Sequence, residues 1–137
     1  MVYVFDSSFA GALIIPDEKN PHVEKMYLQI KKDDTKYVPH LFLLEMANIF
    51  MNLIRRKRNT YDEALQLLPV LSTINITVDS ETGAKYTEKL LHLCNDYKLS
   101  SYDAAYLELA ERKKAVLCTM DENLKVAAKK YGVKVLR

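Results

Sequence analysis

Four carboxylates in this sequence stand where an acid has chemistry to do. Asp6 directly follows the apolar, β-rich run Val2–Phe5, and Asp121 follows Ala115–Thr119 by two residues. Asp103 opens the helical pattern before that second run, and Glu45 is the one acid in the otherwise apolar stretch Leu41–Ile54. Gathered in one cleft, these groups repel: at ~4 Å and an effective dielectric of ~20, each like pair costs about 4 kcal/mol. Such a cluster takes up protons or a cation. Oxygen ligands without His or Cys select Mg²⁺ or Mn²⁺ rather than Zn²⁺. Water on such an ion becomes a nucleophile, which is the chemistry of phosphodiester hydrolysis. Each acid also has a plainer role open to it. Asp6 or Ser7, and Asp121, can cap a following helix; Asp103 can close a capping box; Glu45 can pair with an Arg or Lys. Left unpaired, Glu45 would cost several kcal/mol by analogy with buried ions.

The elements that must position these acids are legible in outline. Val2–Phe5, Tyr37–Val38, Ile74–Val78, Ala115–Thr119 and Val133–Leu136 read as strands, with helical patterns between them. Asn20-Pro21 offers a cap and a first-turn proline. Thr60-Tyr61-Asp62-Glu63 and Ser100-Ser101-Tyr102-Asp103 read as capping boxes, and Gly132 as a helix-stopping C′ glycine. Alternation of strands and helices predicts an α/β fold: a mostly parallel central sheet of about five strands, flanked by helices on both faces, in one domain spanning 1–137. Ligands bind such sheets at the carboxyl ends of the strands, which puts Asp6 and Asp121 on the functional edge. In Leu41–Ile54 the polar residues Glu45, Asn48 and Asn52 form one stripe at i, i+3 and i+7, and the rest is apolar, so this helix is expected to be packed on most sides.

Bulk properties exclude more than they assign. At 137 residues the chain can bury a core without disulfides or a structural metal. A net charge of +2 does not by itself demand nucleic acid. The basic run Arg55-Arg56-Lys57-Arg58 can contact phosphates through Arg55, Arg56 and Arg58, or simply complement a helix C-terminus. Cys94 and Cys118 sit in apolar surroundings and read as buried thiols, and no Cys/His spacing resembles a zinc site. No signal peptide and no bilayer-spanning run is visible, so the expectation is a soluble, cytoplasmic protein.

Four blocks carry a resemblance. Val4-Phe5-Asp6-Ser7-Ser8, Leu44-Glu45-Met46-Ala47-Asn48, Ser101-Tyr102-Asp103-Ala104-Ala105-Tyr106 and Thr119-Met120-Asp121-Glu122-Asn123-Leu124 resemble the signature blocks of PIN domains, in that family's order and approximate spacing. The similarity runs from Val2 to Leu136, and a length this close to the bare domain resembles the VapC-like members. It implies that Asp6, Glu45, Asp103 and Asp121 hold one or two Mg²⁺ or Mn²⁺ ions, with Ser7, Thr119 and Asn48 as polar neighbours of the acids. It implies endonucleolytic cleavage of RNA, leaving a 5′-phosphate and a 3′-hydroxyl. It further implies the toxin half of a toxin–antitoxin pair: a homodimer inhibited by a small antitoxin protein. Where some relatives carry a further acid, this chain has the neutral Asn123, which weakens the case for a second ion. Three alternatives stand beside this reading. They are a catalytically silent RNA- or protein-binding module, a DNA-directed nuclease of the same family, and a phosphatase of the haloacid dehalogenase type. The last wants a second Asp where Ser8 stands. Tyr102 and Tyr106 lie near the acids, either to stack on bases or to fill the core.

Overall fold

The structure, a computed structural model, describes residues 1–137. Four strands form one parallel sheet: β1 (Val2–Phe5), β2 (Thr35–Pro39), β3 (Ile76–Asp79) and β4 (Val116–Cys118), in the order β3-β2-β1-β4. Eight helices surround them: α1 (Ser7–Ile14), α2 (Pro21–Tyr27), α3 (Leu41–Arg55), α4 (Tyr61–Leu65), α5 (Leu67–Thr73), α6 (Ala84–Tyr97), α7 (Ser101–Arg112) and α8 (Glu122–Tyr131). Tyr3, Val4 and Phe5 of β1 are all buried although successive side chains point to opposite faces. Both faces of the central strand are therefore covered, as a parallel sheet requires. Helix α7 lies against β1, β2 and β4, while α1 packs with α2, α3 and α5. No helix is long and apolar enough to cross a membrane.

The expected fifth strand, Val133–Leu136, is reduced to a single bridge between Val135 and Leu117, so the sheet has four strands. The third strand begins at Ile76 rather than Ile74, because Ile74 closes α5 and Asn75 turns the chain through φ +55°. Asn20 caps α2 by accepting from the His22 N–H, and Gly132 ends α8 at φ +89°. At both expected capping boxes only one half forms. The hydroxyls of Thr60 and Ser100 accept from the N–H of Glu63 and Asp103; the Glu63 carboxylate turns to the Asn59 amide at 3.1 Å. The helical run after Thr60 splits at Gln66 into α4 and α5. Pro69 explains the split: it lacks an N–H and its ring crowds the carbonyl one turn back, at Leu65.

Helix α3 corrects a further expectation. It buries only Phe42, Met46, Phe50 and Leu53, and Leu44 is 63% exposed. Its open apolar side joins α4 and α5 in a groove of about 310 Å³ lined by Leu43, Met51, Tyr61, Leu65 and Leu68 among others.

Candidate carboxylate active site

Strand order places the acids. The chain steps from β1 outward to β2 and β3, then returns to add β4 on the other side of β1. The crevice between the carboxyl ends of β1 and β4 is thus the topological switch point of the sheet. Asp6 leaves β1 there, and its N–H donates to Cys118 O at 3.0 Å, extending the pairing by one bond. Asp121 leaves β4 two residues after Thr119.

Asp6 is 5% exposed and fully engaged. Its Oδ1 accepts from the Phe9 N–H at 2.8 Å, capping α1, and from Ser8 Oγ at 2.7 Å. Its Oδ2 accepts from the fully buried Thr119 hydroxyl. Thr119 Oγ1 in turn accepts from the Asp121 N–H at 3.0 Å, and Ser8 Oγ from the Met120 N–H at 2.9 Å. Two hydroxyls therefore stitch the end of β1 to the turn after β4. Asp121 caps α8 through the Leu124 N–H at 2.8 Å. Both plain capping roles are real, and they coexist with the cluster: capping fixes where each carboxylate points.

Glu45 and Asp103 complete a row. Tyr106 donates its hydroxyl to Glu45 Oε1 at 2.6 Å, joining α7 to α3. Burial pushes the Asp6 carboxyl up to about 6, against the lowering by Thr119, Phe9 and Ser8, and the charge of Glu45 adds to the rise. Burial raises Glu45 too, helped by Asp103, and burial raises Asp103, helped by Asp121. Each acid thus feels the next. No lysine or arginine forms an ion pair with any of the four.

The family model for the PIN domain matches residues 3–130. This chain belongs to the PIN domain family. It is 29% identical over 124 residues to ribonuclease VapC3 of Pyrobaculum aerophilum, covering 90% of this chain and 92% of that one. Its fold is shared with the crystal structure of PAE2754 from the same organism. The TM-score there is 0.71 at 24% identity, over 94% of this chain and 86% of that chain. A toxin–antitoxin complex from Klebsiella pneumoniae also shares the fold, with TM-score 0.59 at 18% identity over 87% and 86% of the two chains.

Within this PIN fold the remaining expected residues separate. Ser7 lies against Glu45 and Tyr106 rather than Asp6; the partner of Asp6 is Ser8, which sequence reasoning passed over. Tyr106 is neither a stacking platform nor mere filling: it is 2% exposed and holds Glu45. Its signal was the i+3 spacing from Asp103, which puts both on one face of α7. Asn48 and Asn123 are exposed, and neither bonds to any of the four acids. Arg55, Arg56 and Arg58 are all exposed, but only Arg56 and Arg58 line a hollow beside Ser7.

The donor set suits the expected kind of cation. Every candidate ligand is a carboxylate oxygen, which suits hard Mg²⁺ or Mn²⁺. Burial first, and then a neighbouring acid, raises the pKa of Asp6, Glu45 and Asp103, so a divalent charge would offset a cost that no cationic side chain here offsets. No three His, Cys, Asp or Glu side chains stand close enough to enclose an ion. The residues fit an ion that keeps several waters, as Mg²⁺ does, rather than a caged one.

Proposed function

We propose that this PIN domain hydrolyses phosphodiester bonds of RNA as a Mg²⁺- or Mn²⁺-dependent endoribonuclease, in one unit spanning 1–137 that works in the cytoplasm. The observation that carries the reading is the cation-free row of Asp6, Glu45, Asp103 and Asp121 at the sheet's switch point. Asp6, Asp103 and Asp121 would hold the ion, in part through the waters it keeps, and Glu45 would complete the set or accept a proton from water. When bound, the cation supplies positive charge for phosphate oxygens and acidifies water. Tyr106 fixes Glu45, and Ser8 and Thr119 fix Asp6, so these two acids are held in place before substrate arrives. The products carry a 5′-phosphate and a 3′-hydroxyl.

The similarity to a named ribonuclease supports RNA as the substrate, and the complex among the structural relatives supports an antitoxin partner. The open apolar groove of α3, α4 and α5 supports protein contacts of this kind, with an antitoxin or with a second copy in a homodimer.

The test is cleavage of a mixed RNA pool by the purified chain with Mg²⁺ or Mn²⁺, against EDTA and against Asp103→Asn. The wild type is expected to cut only with metal, and Asp103→Asn to lose at least about 100-fold, the upper end of what even an outer-sphere partner of a ligand costs. Equal cutting in EDTA, or by folded Asp103→Asn, would sink the carboxylate–metal reading.

A further inference from the structure

Beside the acid row lies a second, differently lined hollow. It has a volume of about 200 Å³ and is bounded by Ser7 and Gly11 of α1, Glu18 of the turn after α1, Asn52 of α3, and Arg56 and Arg58 just beyond α3. Ser7 belongs to both places, since it also lies against Glu45. Glu45, Asn52 and Arg56 fall on nearly one line along the helix, at i, i+7 and i+11. At 1.5 Å per residue, Asn52 is ~10 Å and Arg56 ~16 Å along the axis from Glu45. A stacked strand carries one phosphate per ~3.4 Å, so a chain cut at the acid row reaches this hollow within a few nucleotides.

The cationic side chains of the hollow are only loosely paired or not paired at all. Arg58 stands 3.6 Å from Asp17 and 3.5 Å from Glu18, both distances long for a settled ion pair. Arg56 pairs with no carboxylate. At the inner wall, a Cβ on Gly11 would meet Glu18 Oε2 and Ile15 Cδ1 only at 3.7 Å, so glycine here leaves space rather than avoiding a clash. The hollow thus has two guanidinium groups, an amide, the hydroxyls of Ser7 and Ser8, one opposing carboxylate at Glu18, and room.

We infer that this hollow binds a backbone phosphate of the nucleic-acid chain, a few nucleotides from the bond that is cut, with Arg56 as the principal contact. Arg58 joins when the phosphate displaces Asp17 and Glu18. The inference rests on the nuclease reading above and adds to it the register of the substrate. It also separates Arg56 and Arg58 from Arg55, which lines no part of the hollow.

The test uses the full chain with Asp103→Asn as a non-cutting background, in Mg²⁺, with a fluorescently labelled single-stranded RNA 12-mer read by anisotropy over a range of salt. Adding Arg56→Gln is expected to weaken binding about tenfold and to lower the salt slope by about one, the signature of a lost phosphate contact. Adding Glu18→Gln is expected to tighten binding severalfold, because it removes a competing carboxylate. Lys134→Gln, at the opposite end of β4, controls for net charge. Opposite signs from Arg56→Gln and Glu18→Gln carry the proposal, since a merely structural pocket would not give them. RNA bound equally by both variants and by the Lys134→Gln control overturns the hollow and leaves the nuclease reading standing. Inorganic phosphate binding as tightly as the 12-mer makes the hollow a free-anion site and likewise overturns it. No RNA binding by the folded background protein overturns both.

Discussion

Two groups of acids, each built around one buried carboxylate with half-buried neighbours, lie in this molecule and are treated in opposite ways. In the first, Asp6, Glu45 and Asp103 have raised pKa values and no cationic side chain beside them. In the second, Glu108 of α7 is 2% exposed, and Arg112 grips it through Nε at 2.8 Å and Nη2 at 3.1 Å. The same guanidinium forks onto Asp79 at the end of β3, at 2.6 and 3.1 Å, and Lys113 and Lys89 add charge. The hydrogen bonds from Arg112 hold the Asp79 carboxyl below its ordinary range despite its burial. One helix serves both groups, with Asp103 and Tyr106 early in α7 and Glu108 and Arg112 late in it. Acid burial alone therefore does not mark a site. What marks it is burial with the countercharge left out.

The hardest blow to this contrast is to remove the countercharge from the second group. Arg112→Met leaves Glu108 buried and unforked, and is expected to cost about 3 kcal/mol or more in chemical denaturation. Arg112→Met with Glu108→Leu should recover most of it; a single variant as stable as wild type would dissolve the distinction.

Nearly as large is the difference in pH response. Asp6 moves from an ordinary 3.8 to about 6 on folding, so between these values the native state holds a proton that the unfolded state has released. Stability is then greatest below pH ~4 and falls as pH rises to ~6, by about 3 kcal/mol from this group at 1.36 kcal/mol per unit. Asp79 has the opposite sign, contributing stability above its ordinary pKa and losing it as pH falls. Denaturation midpoints of wild type and Asp6→Asn between pH 4 and 7 isolate the first. The wild type should lose stability across that window relative to the variant, and saturating Mg²⁺ should restore it at pH 7 but not at pH 4. Parallel curves without metal would contradict the unpaired state of Asp6.

Smaller still is the effect of Tyr106→Phe, which deletes the hydroxyl on Glu45 and nothing else. Activity should fall 10- to 100-fold, the range for an outer-sphere partner. Full activity would show that Glu45 is positioned without it.

Three of the four acids broke a local pattern, Asp6 and Asp121 by following apolar strands and Glu45 as the one acid in an apolar helix, whereas Asp103 fitted a capping box and stood out only through its block. The i, i+4 pair Glu108 and Arg112 was equally local, but its meaning lay in Asp79, 33 residues away from Arg112, and no periodicity connects them. Ser7 and Ser8 differ only in which way α1 starts, which the cap on Asp6 decides. The apolar face of α3 misled for a related reason. Hydrophobicity reports that a surface is to be covered, not that this chain covers it. The missing fifth strand fails at a similar level. Val133–Leu136 has strand composition, but it engages β4 through one bridge at Val135 and the two neighbouring Leu117 bonds.

The double duty of Asp6 and Asp121 gives the protein built-in spectroscopic reporters. The backbone amides of Phe9 and Leu124 each donate to a carboxylate oxygen of the site. Any event that changes charge at those oxygens shifts the ¹⁵N and ¹H resonances of two identifiable peaks. Occupancy can be titrated without a label, a substrate or turnover.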